Sequence, residues 1–241
     1  MRLLSVVMPV FNEAATIETI VDRVLAAGST LDLDMELVIV DDRSWDGSYE
    51  LLQRLAAGDE RLRLVRHGSN RGKGAAVRTG LERARGEVIV IQDADLEYHP
   101  DDYSRLLEPI LLDLADVVYG SRLLGPGRNR LRPAQAAANR FLTFLSNRLT
   151  GLRLTDMETC YKMFRAELVR GVQFSSERFG IEPELTAHFA RCGARLVEVP
   201  IDYRGRDHGA GKKIGFRDGV EAIWAIIRFN RSDKPDLERD A

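Results

Sequence analysis

Cysteine and long apolar runs are both scarce in this chain of 241 residues. Its two cysteines, Cys160 and Cys192, are too few for a disulfide framework, and neither has the spacing of a metal site. No apolar run reaches the ~18 residues that indicate a membrane-spanning helix. The N-terminus has an apolar strand pattern, whereas a signal peptide starts with a charged region and ends at a small-residue cleavage site. We therefore expect a cytoplasmic location.

Excess charge is also missing, because the formal net charge is only −2. This balance excludes a polycation suited to nucleic acid. Acidic residues are, however, absent from residues 117–155, which indicates an anionic partner such as phosphate or an acidic membrane surface, or else a solvated basic face. The arginines of that segment are Arg122, Arg128, Arg130, Arg132, Arg140, Arg148 and Arg153.

Strand and helix patterns alternate over the first 120 residues, which predicts an α/β fold with a mostly parallel sheet flanked by helices. The expected strands are 4–8, 36–40, 61–65, 87–91 and 116–119, and the helices are 14–27, 49–57, 74–84 and 101–112. A helix at 134–149, a polar segment at 155–165, a helix at 182–192, a strand at 195–200 and a helix at 217–229 follow. We expect one domain over residues 1–230 and a charged tail over 231–241.

Polar side chains follow three of these strands at the point where each strand ends. Ligands of open α/β sheets bind beyond the carboxyl ends of the strands, so three such groups predict a polar rim on one sheet edge. Each group alone also fits helix capping, for which Asn, Asp and Ser are preferred. The three pairs are Asn12 with Glu13, Asp41 with Asp42, and Asp93 with Asp95.

Asp93 and Asp95 directly follow the apolar strand 88–91. In an extended chain, residues two apart point to the same side, so the two carboxylates can converge. Hard oxygen ligands of this kind suit Mg²⁺ or Mn²⁺ that is shared with the phosphates of a substrate. The alternative is a polar turn before the next helix.

The glycine-rich turn at 70–76 opens a helix and contains Lys73. It can present backbone N–H groups and a lysine to an anion, or it is simply a tight strand-to-helix turn. It lacks the spacing of a P-loop, and the Gly-x-Gly-x-x-Gly pattern of dinucleotide binding is absent. P-loop and dinucleotide chemistry are therefore disfavoured.

The second half of the chain adds further charged groups. Arg122 follows the fifth strand, and its planar guanidinium can bind two phosphate oxygens. Asp156 and Glu184 are candidate bases, although Glu184 also fits the positive end of a helix dipole. The glycine-rich basic loop 204–213 predicts a lid. The helix at 134–149 carries an apolar stripe with two possible roles. It either enters a membrane interface, through Phe141, Phe144 and Leu145 with Arg140 and Arg148 beside them, or packs on the sheet. Packing is favoured for Leu145 and Leu149.

Together these segments resemble glycosyltransferase family 2, whose inverting enzymes have a GT-A fold. The matching segments are Val-Met-Pro-Val-Phe-Asn-Glu at 7–13, Val-Asp-Asp-Arg-Ser-Trp-Asp-Gly-Ser at 40–48, residues 70–74, and Gln-Asp-Ala-Asp at 92–95. The second half is similar to the dolichyl-phosphate mannosyltransferase-like, polyprenyl-phosphate branch. That similarity rests on Gly-Ser-Arg at 120–122 and on residues 155–162, 179–184 and 211–214.

The resemblance implies a role for each group. Residues 1–120 would bind the nucleotide sugar and residues 121–230 the acceptor. Asp93, Asp95 and Glu97 would hold Mg²⁺ or Mn²⁺, and the catalytic set would be Asp93, Asp95, Arg122, Asp156 and Glu184. The donor and the phosphates would be held by Pro9, Val10, Asn12, Glu13, Asp41, Asp42, Ser44, Lys73, Arg206 and Lys212.

The function we predict is inverting, metal-dependent transfer of a hexose from a GDP-mannose or UDP-glucose type donor to a polyprenyl or dolichyl phosphate. The expected place is the inner face of the cell membrane, with a peripheral membrane contact. Family members that act on a glycan or small-molecule hydroxyl are the alternative, and a non-catalytic nucleotide-binding protein is an alternative of another class. A phosphate acceptor needs little help from a base, whereas a hydroxyl acceptor requires one.

Overall fold

The computed structural model describes residues 1–124, 133–178, 180–205 and 216–231. Within these residues a seven-stranded sheet has the order β3-β2-β1-β4-β6-β5-β7. Strand β6 runs antiparallel to its neighbours β4 and β5, and the other strand pairs are parallel. The strands are β1 (Leu3–Val10), β2 (Asp34–Asp41), β3 (Leu62–Arg66), β4 (Val88–Ile91), β5 (Val117–Ser121), β6 (Lys162–Arg165) and β7 (Leu196–Pro200). This confirms the predicted α/β fold with a mostly parallel sheet.

The central strands β1, β2 and β4 are buried along nearly their whole length. They read as continuous Val/Ile/Leu-rich runs because helices cover both faces of a parallel sheet. The same strands give the core its largest apolar cluster, which includes Val6, Ile39 and Val90. The sequence pattern was therefore strongest for the strands that position the candidate site.

Strand β6 lies inside the segment 155–165 that the sequence predicted only as polar. Its first residue, Lys162, is fully buried, and its Nζ donates to the carbonyl oxygens of Met157 and Thr159 and lies 4.6 Å from the centre of the Tyr119 ring. A lysine at an inward position of a four-residue strand conceals the apolar pattern that would indicate that strand.

The predicted helices are all present, with shifts of up to three residues at their ends. The first helix begins at Ile17 rather than at residue 14, because the amides of Thr16 and Ile17 both bond to the carbonyl oxygen of Glu13 in a preceding turn. The helices are α1 (Ile17–Gly28), α2 (Ser48–Gly58), α3 (Lys73–Arg83), α4 (Tyr103–Leu111), α5 (Pro133–Thr150), α6 (Ile181–Arg191) and α7 (Phe216–Arg231).

Helices α5, α6 and α7 pack against one another in the second half of the chain. Helix α6 is buried from Ile181 to Phe189 and anchors this group. Throughout the ranges given above, no helix combines the length and apolar character needed to cross a bilayer.

Candidate active site

Hydrogen bonds join the loops that follow β1, β2 and β4. These loops lie at the edge of the sheet where the three strands end, here called the carboxyl edge. The Asn12 amide donates to Ser44 Oγ at 3.0 Å, which joins the first two loops. The Thr16 hydroxyl lies 3.0 Å from both Glu13 Oε2 and the carbonyl oxygen of Ala94, which joins the first loop to the third. The structure thus brings the three polar strand ends to one edge of the sheet.

The residues nearest the sheet are buried at this edge. Pro9 and Val10 are buried in β1, and Asp41 is fully buried at the end of β2. Asp41 accepts a hydrogen bond from the Ser44 amide at 3.3 Å and pairs with Arg66 at 3.1 Å. The Asp41 carboxylate is therefore held in place by the loop after β2 and by Arg66 of β3.

Asp42 organises the glycine-rich turn instead of facing solvent. Its two oxygens accept hydrogen bonds from the amides of Arg71 at 2.9 Å and Gly72 at 2.7 Å, and Oδ1 also lies 2.7 Å from His67 Nδ1. Gly72 adopts φ +94°, a left-handed conformation that glycine tolerates without strain. In this arrangement Asp42 acts on a ligand only through the turn that it holds.

The amides at the start of α3 bond to protein carbonyl oxygens, so of the two interpretations of this turn the structure favours a tight strand-to-helix turn over an anion site. The amide of Gly74 donates to the carbonyl oxygen of Arg178, and the amide of Ala75 donates to that of Glu177, each at 3.1 Å. A Cβ at Gly74 would lie 2.6 Å from the Ser176 carbonyl oxygen. Another chain segment therefore fills the place that the sequence pattern reserved for phosphate.

Lys73 is the member of this turn that reaches the carboxyl edge. Its Nζ lies 2.8 Å from Asp93 Oδ1 and 3.0 Å from Glu182 Oε1, so it connects α3 with β4 and α6. Burial by itself lowers the pKa of Lys73, but the nearby negative charges, Asp93 foremost and Glu182 among them, hold it well above its usual value. Lys73 is therefore a fixed positive charge beside Asp93.

Glu182 is a site residue that the sequence analysis missed. Its Oε1 pairs with Lys73, while its Oε2 is buried without a hydrogen-bond partner. The Glu-Pro-Glu motif at the start of α6 contains both carboxylates, and it does not by itself indicate which of them meets Lys73.

Glu184 fastens the chain segment that precedes α6. Its Oε1 accepts the Ser175 amide at 2.7 Å, and its Oε2 accepts the Ser176 amide at 2.8 Å. The side chain is 5% exposed. Both oxygens are thus committed to backbone donors, which fits a structural role and disfavours Glu184 as a base in this conformation.

Asp95 and Glu97 lie beyond Asp93 on the β4 loop. Asp95 Oδ1 accepts the Glu97 amide at 3.0 Å, and Glu97 Oε2 accepts the Tyr203 hydroxyl at 2.8 Å. No three His, Cys, Asp or Glu side chains form a preformed metal cage in the described part of the chain. The oxygen donors fit Mg²⁺ or Mn²⁺ chemically, because such ions take one or two carboxylates and complete their shell with phosphates and water.

Arg122 at the end of β5 is held by Asp156. The Asp156 carboxylate accepts the Arg122 amide at 2.9 Å and its Nε and Nη2 atoms at 2.8 Å each. Asn139 Nδ2 donates to the same carboxylate at 2.8 Å, and Glu198 accepts the Asp156 amide at 3.0 Å. Asp156 therefore orients the guanidinium, and neither Asn139 nor Glu198 was predicted because both lie on distant elements.

The electrostatics of this pair follow from its burial. Asp156 is fully buried and Arg122 is 9% exposed. Burial alone raises the pKa of Asp156, but the hydrogen bonds and positive charge of Arg122 bring it below its usual value. A carboxylate kept ionised and doubly bonded to a guanidinium is a poor general base, so Asp156 fits a positioning role better.

Tyr203 separates the acidic loop from Arg122. Its hydroxyl donates to Glu97, and its ring centre lies 5.3 Å from the guanidinium carbon of Arg122. Glu97 of the loop after β4 and the guanidinium of Arg122 after β5 are therefore both in contact with one aromatic side chain.

Some predicted residues lie outside the described ranges. These are Arg206 and Lys212 with most of the basic loop 204–213, Phe179, the arginines between residues 125 and 132, and the tail after residue 231.

The fold is that of a glycosyltransferase of the GT-A type, and the comparisons agree. Residues 5–172 match glycosyl transferase family 2. This chain belongs to that family. The GT-A fold and the family resemblance predicted from the sequence are thereby confirmed.

The chain is similar to curated proteins of the polyprenyl-phosphate branch. It is 30% identical over 214 residues to an undecaprenyl-phosphate 4-deoxy-4-formamido-L-arabinose transferase of Aeromonas hydrophila, covering 88% of this chain and 63% of that protein. It is 32% identical over 237 residues to an undecaprenyl-phosphate mannosyltransferase of Micrococcus luteus, covering 95% of this chain and 94% of that protein. The chain thus spans less than two thirds of the first relative and nearly all of the second.

Among solved structures, the chain resembles glucosyl-3-phosphoglycerate synthase of Mycobacterium tuberculosis in complex with Mn²⁺, UDP and glucosyl-3-phosphoglycerate. The TM-score is 0.69 at 22% identity, covering 95% of this chain and 78% of that one. At this identity the likeness establishes the fold alone.

Proposed function

We propose that this protein transfers a hexose, with inversion, from a nucleoside diphosphate-sugar of the GDP-mannose or UDP-glucose type to a polyprenyl phosphate. The reaction takes place at the cytoplasmic face of the membrane and depends on a divalent metal. The observation that carries this proposal is the ion pair of Lys73 with Asp93 at one strand end, together with the contacts of Tyr203 with Glu97 on the same loop and with Arg122. The polyprenyl-phosphate relatives support the acceptor.

The donor half is residues 1–120. The proposed nucleoside contacts are Pro9, Val10, Asn12, Glu13, Asp41 and Ser44, with Asp42 acting through the glycine-rich turn. Asp93, Asp95 and Glu97 would hold Mg²⁺ or Mn²⁺, which supplies a Lewis acid for the charge that develops on the departing diphosphate. Lys73 orients Asp93 through their 2.8 Å ion pair. The Mn²⁺ and UDP of the fold neighbour support this arrangement.

The acceptor half is residues 121–230. Arg122 supplies a fixed guanidinium for phosphate oxygens, and stabilising charge in a water-poor site is a large contribution to catalysis. Asp156 and Glu184 both have their oxygens engaged by protein donors, and a phosphate acceptor needs no strong base because its oxygen is already anionic. This agreement favours the lipid phosphate over a neutral hydroxyl. Arg206 and Lys212 are proposed as further phosphate contacts.

A peripheral membrane contact through α5 is part of the proposal. Phe141 is 55% exposed and Phe144 is 62% exposed, with Arg140 and Arg148 on the same helix and also exposed. Apolar side chains beside arginines suit an anionic membrane surface. Leu145 packs against the core and is removed from this surface, as the packing alternative anticipated. Leu149, for which packing was also favoured, is 45% exposed instead.

The buried face of α5 joins this surface to the site. Asn139 and Thr143 lie on that face, and Asn139 donates to the Asp156 carboxylate that holds Arg122. A membrane bound to the outer face would therefore lie one helix away from the proposed phosphate contact. Replacing Phe141 and Phe144 together by Ser should reduce flotation with anionic vesicles and leave turnover of a short acceptor in detergent unchanged.

Transfer from labelled GDP-mannose and UDP-glucose to a short-chain polyprenyl phosphate in detergent tests the function, with and without Mg²⁺ or Mn²⁺. We expect labelled lipid with one donor, loss of product on chelation, and loss in Asp95→Ala. Asp101→Ala is the matched control, because Asp101 lies six residues further along and its side chain is 82% exposed.

The outcomes separate the alternatives. Hydrolysis of a donor without labelled lipid would reject the acceptor but keep the donor chemistry. Tight metal-dependent nucleotide binding with no turnover on any acceptor would favour a non-catalytic nucleotide-binding protein.

A further inference from the structure

Trp45 is the most exposed large apolar side chain of the described residues, at 74%. It lies in the loop after β2, between Ser44 and Asp46, at the carboxyl edge. An isolated exposed apolar residue needs no explanation by itself. The restraints on Trp45 and its location are what make it informative.

The backbone around Trp45 is fixed by contacts between two loops. The Trp45 amide donates to Asn12 Oδ1 at 3.0 Å, and the Asn12 amide donates to Ser44 Oγ at 3.0 Å. Asn12 and Arg43 both have left-handed backbones, with φ of 56° and 66°. Such conformations persist when neighbouring contacts hold them, and they concentrate at ligand sites.

The indole also has a definite aromatic neighbour. The centres of the Phe11 and Trp45 rings are 4.8 Å apart, and their planes meet at 81°. The two rings therefore form a T-shaped pair, here called the aromatic corner, beyond the ends of β1 and β2. A flat aromatic ligand that stacks on the face of one ring would contact the edge of the other, and both contacts are favoured geometries for aromatic groups.

We propose that Trp45 stacks on the nucleobase of the donor and sets much of the protein's affinity for the nucleoside. This inference rests on the proposed function, which supplies a nucleoside diphosphate as ligand at this edge. Neighbouring Asn12 and Asp41 are the proposed nucleoside contacts, so the base is the flat aromatic part of the donor nearest the aromatic corner. The proposed function assigns the phosphates to Lys73 and to the metal at Asp93 and Asp95, which leaves the base for Trp45.

Truncating an aromatic side chain that stacks on a base to Ala raises the dissociation constant of the ligand by roughly 5- to 140-fold. Trp45→Ala should therefore weaken UDP and GDP binding by that range. The loss should be greater for GDP, because a purine has the larger stacking surface. Pyrophosphate, which has no base, should bind Trp45→Ala and wild type equally.

The chain has two tryptophans, which allows a direct test. In Trp224→Phe, Trp45 is the only indole, and its emission is titrated with UDP, GDP and pyrophosphate in the presence of Mg²⁺. Calorimetry on wild type, Trp45→Ala and Trp224→Ala measures affinity independently. Trp224 is the matched control, since it is also exposed, at 58%, but lies on α7. Thermal melts verify that each variant is folded.

We expect both nucleotides to quench Trp45 emission, pyrophosphate to leave it unchanged, and only Trp45→Ala to lose nucleotide affinity. Nucleotide binding by calorimetry with unchanged emission and an unaffected Trp45→Ala would overturn the inference and leave the proposed function standing. Failure of any nucleotide to bind wild type would overturn both. A response to anionic vesicles instead of nucleotides would assign Trp45 to a membrane contact.

Discussion

Replacing Asp156 by Asn tests whether this residue positions Arg122 or acts as a base. The substitution keeps the shape of the side chain but removes the negative charge that Arg122, which is 9% exposed, binds through Nε and Nη2. Removing one partner of a buried ion pair costs about 3–5 kcal/mol, because the other charge remains buried. For a domain of this size, each kcal/mol lowers the melting temperature by about 2–4 °C, so we expect a fall of roughly 6–20 °C.

The assay is urea unfolding followed by circular dichroism, together with transfer activity at a temperature where the variant is folded. Asn139→Ala is the matched control, since it removes one neutral donor from the same carboxylate and should cost less, about 1.5–3 kcal/mol. The Asp156 pKa is lowered in the folded state. Its stabilising contribution is therefore present above the unfolded-state pKa and is lost as the pH falls through the folded-state value.

A result that would refute this reasoning is an Asp156→Asn protein with unchanged unfolding free energy and a kcat reduced a hundredfold or more. Asp156 would then be a base, and the acceptor would be a hydroxyl. Positioning predicts a different pattern, in which stability falls and the apparent affinity for the phosphate-bearing acceptor weakens with it.

Three further changes test the surrounding structure. Gly74→Ala should lower the free energy of unfolding in urea by about 1–3 kcal/mol, because the new Cβ would lie 2.6 Å from a backbone oxygen of the segment before α6. The control is Gly58→Ala, which has open space around its Cβ and should be neutral. Equal effects of the two substitutions would contradict this packing. Glu184→Gln should lower the melting temperature and retain kcat, because the Glu184 carboxylate binds two backbone amides. A large loss of kcat at unchanged stability would instead indicate that Glu184 is a base. The hydrogen bonds of Arg195 lower the pKa of Asp116 to about 2, so the ionised carboxylate stabilises the fold above pH ~4. The loss of stability in Asp116→Asn should therefore shrink as the pH falls from 4 to 2. A loss that grows over this range would contradict the pairing.

The central strands could be predicted because their signal is local. β1, β2 and β4 are continuous apolar runs that end in acids, and both features are visible without knowledge of any partner. β6 could not be predicted, because its place between β4 and β5 depends on pairing with both, and its first residue is a buried lysine.

The glycine-rich turn shows how a correct local prediction can leave the role of a segment open. The tight turn into a helix at Lys73 is present as the sequence indicated. Its amides bind Asp42 and the carbonyl oxygens of Glu177 and Arg178, so none of these bonds goes to an external anion. A sequence reveals that a turn has donors but not which acceptors reach them.

The same distinction separates what the sequence determined from what the tertiary structure decided. Periodicity and composition placed Asp93, Asp95 and Arg122 at strand ends, because strand direction brings such ends to one edge. The tertiary structure decided that Lys73 pairs with Asp93 and Glu182, and that Asp156 holds a guanidinium 34 residues away in the chain. These pairings depend on the order of strands and the packing of helices, and no local pattern encodes the distance between side chains on separate elements.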